Sequence, residues 1–274
     1  MDIRLIAFDL DGTLLNDRKE VTPRTMRALE KAAEKGVILV PSTGRIRNAI
    51  PKAVLELPFV RYLITINGAV VWDLNKEERV YRKVFSKEQS LEVWDYMMQF
   101  DAMCDFYESG QGYMESKNLD MLESYVRFPE MIKMVKATRQ VIPNCREWIE
   151  RAEDGVEKFN MYFVDLNLQA RVKQNLKERF PYLKATNSLV NNVELNHMDA
   201  DKGVGLRALC EYLNVPIEKA MAFGDGDNDS AMLLAAGCGV AMGNAEECVK
   251  ECADMIALTN EEDGLARIIE EYIL

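Results

Sequence analysis

Leu5-Ile6-Ala7-Phe8-Asp9-Leu10-Asp11-Gly12-Thr13-Leu14-Leu15 is an apolar run that stops on two carboxylates and a glycine. A run this short, with no polar alternation before the acids, reads as a parallel strand covered on both faces. Open α/β sheets place their chemistry just beyond the carboxyl ends of such strands. The strand's period of two aims Asp9 and Asp11 to the same side, and Gly12 lets the chain turn directly after them. Two acids held side by side repel unless a cation lies between them or one carries a proton. Taken alone, the stretch also reads as a strand followed by an ordinary Asp-Gly turn.

The same handover from apolar strand to polar turn recurs downstream. Thr22 and Pro23 open a helix with Met26, Leu29 and Ala33 on one face, and Gly36 ends it. Val37-Ile38-Leu39-Val40 is a second buried strand that runs into Pro41-Ser42-Thr43-Gly44-Arg45. Hydroxyls and a glycine at a strand-to-helix turn suit an anion, and helix capping is the other role open to Thr43. A third strand at 62–66 ends on Asn67-Gly68, and a hairpin follows over 70–81. Further on, Lys202-Gly203 opens a helix with Leu206, Leu209, Cys210 and Leu213 on one face. The strand at 220–223 then ends on Gly224-Asp225-Gly226-Asp227-Asn228-Asp229, too dense in acids for an ordinary turn. A calcium-binding EF-hand would need a helix before this cluster and a glutamate at the twelfth loop position. Asp227 reads as a solvated loop residue.

Alternating strands and helices imply right-handed crossovers and a parallel sheet. Residues 85–190 have a different character. They hold most of the aromatic residues and methionines, an amphipathic helix near 87–99, strands at 103–107, 113–115 and 159–164, and a helix at 168–180. No carboxylate pair ends a buried strand there. The stretch reads as an inserted α+β domain between core segments 1–84 and 191–274.

Composition narrows the function classes. An apolar fraction of 48% supports a large core, and a net charge of −11 repels nucleic acid and anionic membranes. No basic cluster alternates with aromatics to offset that charge, so neither is expected as a partner. The six cysteines form no C-x-x-C pair and read as reduced thiols of a cytoplasmic protein. No stretch reads as an export signal or a membrane span. A single histidine, His197, rules out a multi-histidine metal site and reads as a surface or insert-facing residue. Oligomeric state stays open.

In one sheet, three strand ends would converge: Asp9 with Asp11, Thr43, and Asp225 with Asn228 and Asp229, joined by Lys202. Carboxylate oxygens with open positions suit Mg²⁺, which binds through one or two carboxylates, waters and a substrate phosphate. A lysine and a hydroxyl opposite the metal suit the equatorial oxygens of a phosphoryl group.

These pieces, in this order, resemble the haloacid dehalogenase-like superfamily and within it the Cof-type phosphatases. Asn67-Gly68-Ala69 and Ala241-Met242-Gly243-Asn244-Ala245 add to the match. The resemblance implies a Rossmann-like parallel-sheet core with an inserted α+β cap that closes over the site and selects the leaving group. It implies that Asp9 is a nucleophile that becomes an aspartyl-phosphate, and that Asp11 is the acid and base. It further implies that Mg²⁺ is held by Asp9, Asp225 and the backbone carbonyl of Asp11. Phosphate would be held by Leu10 N–H, Thr43, Gly44 N–H, Lys202 and Asn228, with Asp229 orienting Lys202 or a metal-bound water. Asp201, where a small or hydroxyl residue is expected, departs from the pattern. The expected function is a cytoplasmic phosphatase for a small phosphorylated metabolite, with sugar phosphates as the leading class. A phosphomutase or phosphotransferase of the same fold, and a non-enzymatic phospho-Asp signalling module, are the alternatives.

Overall fold

The computed structural model describes residues 1–126, 129–153, 155–187 and 189–274. Its contacts divide the chain into two compact units. One consists of Met1–Gly44, Lys52–Arg82 and Asp201–Leu274, the other of Arg45–Pro51 and Lys83–Ala200.

In the first unit, β1 (Leu5–Phe8), β2 (Ile38–Pro41), β12 (Ala220–Gly224), β13 (Cys238–Ala241) and β14 (Met255–Ile256) form a five-stranded sheet. Its order is β14-β13-β12-β1-β2, and every pairing is parallel. The fully apolar β1 lies inside the sheet with all four residues buried, as a strand covered on both faces requires. The antiparallel β3 (Tyr62–Thr65), β4 (Val70–Asp73) and β5 (Glu78–Arg82) carry the expected hairpin. Parallel bridges Leu39↔Val60 and Ser42↔Ile64 run beside β2. The α/β class with a parallel core is therefore the one the sequence leads one to expect.

The second unit is a six-stranded sheet made of β6 (Met103–Glu108), β7 (Gln111–Glu115), β8 (Arg139–Ile142), β9 (Lys158–Tyr162), β10 (Leu183–Thr186) and β11 (Asn192–His197). The order is β10-β11-β9-β6-β7-β8, antiparallel except for β7 with β8. Alternate residues of its strands face two different environments. Cys104, Phe106, Phe159, Met161, Val193 and Leu195 join an apolar core with Trp94, Ile149, Val172 and Leu176 from the covering helices. The intervening Asp105, Lys158, Asn160, Glu194 and Asn196 are also buried. There Asp105 takes Arg139 Nε at 2.9 Å and Glu194 takes Lys158 Nζ at 2.7 Å.

One expectation changes here. Segment 191–200 does not go with the parallel core, because β11 pairs antiparallel with both β9 and β10. Its polar alternate residues masked it as a strand, since they are buried among other charges. Of the two readings of His197, surface or insert-facing, the second is the one found: it is buried, with its ring 5.8 Å from that of Phe85. Among the described residues no helix is long and apolar enough to cross a membrane.

Candidate active site

Register puts the strand ends in a row. Phe8 pairs with Phe223 on one side and with Pro41 on the other, so Asp9, Ser42-Thr43 and Gly224-Asp225 leave the sheet together. Asp9 N–H donates to Phe223 O at 3.0 Å, and Ser42 N–H to Phe8 O at 2.8 Å. The Gly12 turn has φ +87°, and a Cβ there would stand 2.3 Å from Asp225 Oδ2. Only glycine tolerates both the backbone and that approach. Thr13 Oγ1 donates to Asp225 Oδ1 at 2.7 Å, and Asn244 Nδ2 holds the Gly12 carbonyl at 2.9 Å.

Lys202 is fully buried at the start of helix Lys202–Leu213. Asp201, the departure from the expected pattern, is that helix's N-cap and accepts from Val204 N–H at 2.8 Å. Aspartate is among the best residues for this role, so the helix start is locally sound. Lys202 Nζ donates to Asp9 Oδ1 at 2.5 Å and to Asp229 Oδ1 at 2.6 Å. The other oxygen of Asp229 accepts from the N–H groups of Asp225 and Gly226, both at 3.0 Å.

Asp9, Asp225 and Asp229 each offer a carboxylate oxygen within 4.8 Å of the others. Three acids thus crowd one ammonium, which bonds Asp9 and Asp229. Burial, with the charges of Asp229 and Asp225, pushes Asp9 up to about 8 despite Lys202. Burial and Asp229 raise Asp225 to about 6, opposed by the Thr13 hydroxyl. Burial disfavours the Lys202 ammonium, but Asp229 and Asp9 outweigh it and hold its pKa above the usual lysine value. The set has all-oxygen donors and, with all three acids ionised, two negative charges in excess of its lysine, which fits a hard divalent cation.

The remaining candidates divide. Asp11 is not in the three-acid group: its carboxylate meets Lys19 Nζ at 2.9 Å. Leu10 is buried, and its carbonyl accepts from Leu15 N–H at 2.8 Å. Asp227 is exposed, as expected. Thr43 is buried and caps no helix, since the next helical turn, Arg47–Ala49, has Ile46 at its N-cap. Thr43 instead accepts on its carbonyl from Asn67 N–H at 3.1 Å. Asn228 Nδ2 donates to Asn67 Oδ1 at 3.0 Å. Three further side chains, Thr13, Lys19 and Asn244, join the site without being singled out by the sequence, and Asp229 bonds Lys202 Nζ as well as two backbone N–H groups. Thr13 and Asn244 stand inside the strand-end motifs, but no local pattern marks Lys19.

A profile of the family described as haloacid dehalogenase-like hydrolase matches residues 6–269. The 5-amino-6-(5-phospho-D-ribitylamino)uracil phosphatase YcsE of Bacillus subtilis is 34% identical over 274 residues, covering 100% of this chain and 97% of that protein. The pyridoxal phosphate phosphatase YbhA of Escherichia coli is 27% identical, covering 100% of both chains. The solved structure of a haloacid dehalogenase-like hydrolase from B. subtilis superposes with a TM-score of 0.84 at 27% identity, covering 99% of this chain and 100% of that one.

Proposed function

The chain belongs to the haloacid dehalogenase-like hydrolases and is a phosphoric monoester hydrolase, and on that premise we propose that it is a cytoplasmic, Mg²⁺-dependent phosphatase of small sugar-derived phosphate esters that works through an aspartyl-phosphate on Asp9. The observation that carries this reading is the Asp9 carboxylate at the end of β1, held 2.5 Å from a fully buried lysine that it shares with Asp229. Two of the relatives that match along the whole chain are named for phosphorylated small molecules, and one of them, YcsE, for one whose phosphate sits on a ribityl chain.

In this reading an Asp9 oxygen attacks phosphorus and the ester oxygen leaves with a proton from Asp11. Water then attacks the phosphorus of the acyl-phosphate, gives a proton to Asp11, and phosphate departs. Lys202, Thr43, Asn228 and the N–H groups of Leu10 and Gly44 hold the phosphoryl oxygens. Asp9, Asp225 and the carbonyl of Asp11 would hold Mg²⁺, with Asp229 as supporting acid or further ligand. The cation would supply positive charge against the phosphoryl oxygens and keep Asp9 ionised. The inserted unit is assigned the choice of leaving group.

The test is Asp11→Asn, which keeps the nucleophile and the turn but removes the proton carrier. Turnover should fall about a hundred- to ten-thousand-fold, the usual worth of general acid–base assistance. With an activated ester that leaves without a proton, phospho-Asp9 should build up and be found by rapid quench and peptide mass spectrometry. Full turnover in Asp9→Asn would sink the reading.

A further inference from the structure

The turn Ile66–Gly68 bears more strain than a link between two short strands requires. Ile66, Asn67 and Gly68 follow one another at φ of 56°, 55° and 90°. For β-branched Ile66 a positive φ is a genuine outlier, and such a conformation persists only where its surroundings over-determine it. The surroundings here are three segments of the site. Asn67 N–H donates to Thr43 O at 3.1 Å, and Asn67 Oδ1 accepts from Asn228 Nδ2 at 3.0 Å. A Cβ on Gly44 would lie 2.6 Å from Asn67 Oδ1, and one on Gly68 would lie 1.9 Å from the carbonyl oxygen of Asp201, next to Lys202.

We propose that Asn67 is a positioning residue for phosphate, acting through Asn228; this rests on the reading above, in which Asn228 binds the phosphoryl group. The side-chain oxygen of Asn67 can only accept, so the end of Asn228 turned toward it is the donor end. One Nδ2 hydrogen of Asn228 is used in this bond, and the other stays oriented for a phosphoryl oxygen. A free amide would have to be ordered when substrate binds, and that cost would appear as weaker binding. The left-handed backbone by itself does not account for an asparagine, because glycine adopts it with less strain.

That contrast supplies the experiment. Asn67→Gly keeps the backbone and removes the acceptor. The variant should stay folded by circular dichroism, while its inhibition constant for inorganic phosphate rises and its kcat/KM for a small activated phosphate ester falls. Each change should be roughly three- to tenfold, the range for one neutral hydrogen bond. In an Asn228→Ala background the same replacement should change either value less than about twofold, since the two residues act as one unit. Asn67→Asp still offers an acceptor to Asn228 but adds a charge near the phosphate, so it should keep kcat and raise KM. Wild-type constants in Asn67→Gly, losses additive with Asn228→Ala, or loss of fold in the glycine variant would each overturn the proposal. If Asn228→Ala alone leaves phosphate inhibition unchanged, the phosphate-site reading itself fails; if only Asn67→Gly is silent, that reading stands.

Discussion

Replacing Asp225 by asparagine should make the metal-free protein more stable and the enzyme inactive. Asp225 is pushed from 3.8 to about 6 chiefly by burial and by Asp229. At about 1.4 kcal/mol for each pH unit, carrying its charge above pH 6 costs on the order of 3 kcal/mol. Part of the side chain meets water, and screening there reduces the gain from neutralising it to about 1–3 kcal/mol. An asparagine still accepts from Thr13 Oγ1, which now lies 2.7 Å from Asp225 Oδ1. For a chain of this size the gain corresponds to a melting temperature higher by roughly 2–5 °C. The sign follows from proton binding: folded Asp225 holds its proton to higher pH than the unfolded chain does. Wild-type stability from this group is therefore complete below about pH 4 and is lost as pH rises through about 6. The advantage of Asp225→Asn grows over the same window and is full at pH 8. Mg²⁺ at a hundred times its Kd should stabilise the wild type by about 2.7 kcal/mol and the variant far less. The assay is calorimetry in chelator and in Mg²⁺ at pH 5 and pH 8. A variant that melts at or below the wild type in chelator at pH 8, or that gains as much from Mg²⁺, would refute the charge-crowding argument.

Two further outcomes concern the inserted unit. Asp105→Asn should destabilise by about 3–5 kcal/mol in urea titrations, because it leaves the buried Arg139 guanidinium without its carboxylate at 2.9 Å; a loss below about 1 kcal/mol would show the pair to be dispensable. His197, as the single histidine, can be followed alone by NMR. Burial, then Lys83, lowers its pKa from 6.5 against the pull of Asp199, and Asp199 N–H donates to its Nδ1 at 3.2 Å. Its contribution to stability should be full above pH 6.5 and lost as pH falls through its lower folded pKa. An imidazole titrating above 6.5 would contradict this packing.

The parallel core was legible because its strands are short, apolar and stop on polar turns, a pattern carried by neighbours in the chain. Asp9, Asp11, Thr43, Gly44, Lys202, Asp225, Asn228 and Asp229 could be picked out in the same way, since each stands in or beside such a turn. The limits of the insert were not legible. Asn192, Glu194 and Asn196 look solvent-facing in sequence, yet they are buried on the second face of a sheet in which β11 also pairs with β9, on the far side of an intervening helix and strand.

What the sequence determined by itself was the class of fold and the cast of side chains at the strand ends, because both follow from local periodicity and turn chemistry. Tertiary structure alone decided how those side chains are shared: Lys202 between Asp9 and Asp229, and Asn228 with Asn67. Strand register and close backbone approach set these partnerships, and with them the charge balance of the site. Register is a relation between distant segments that no local stretch encodes.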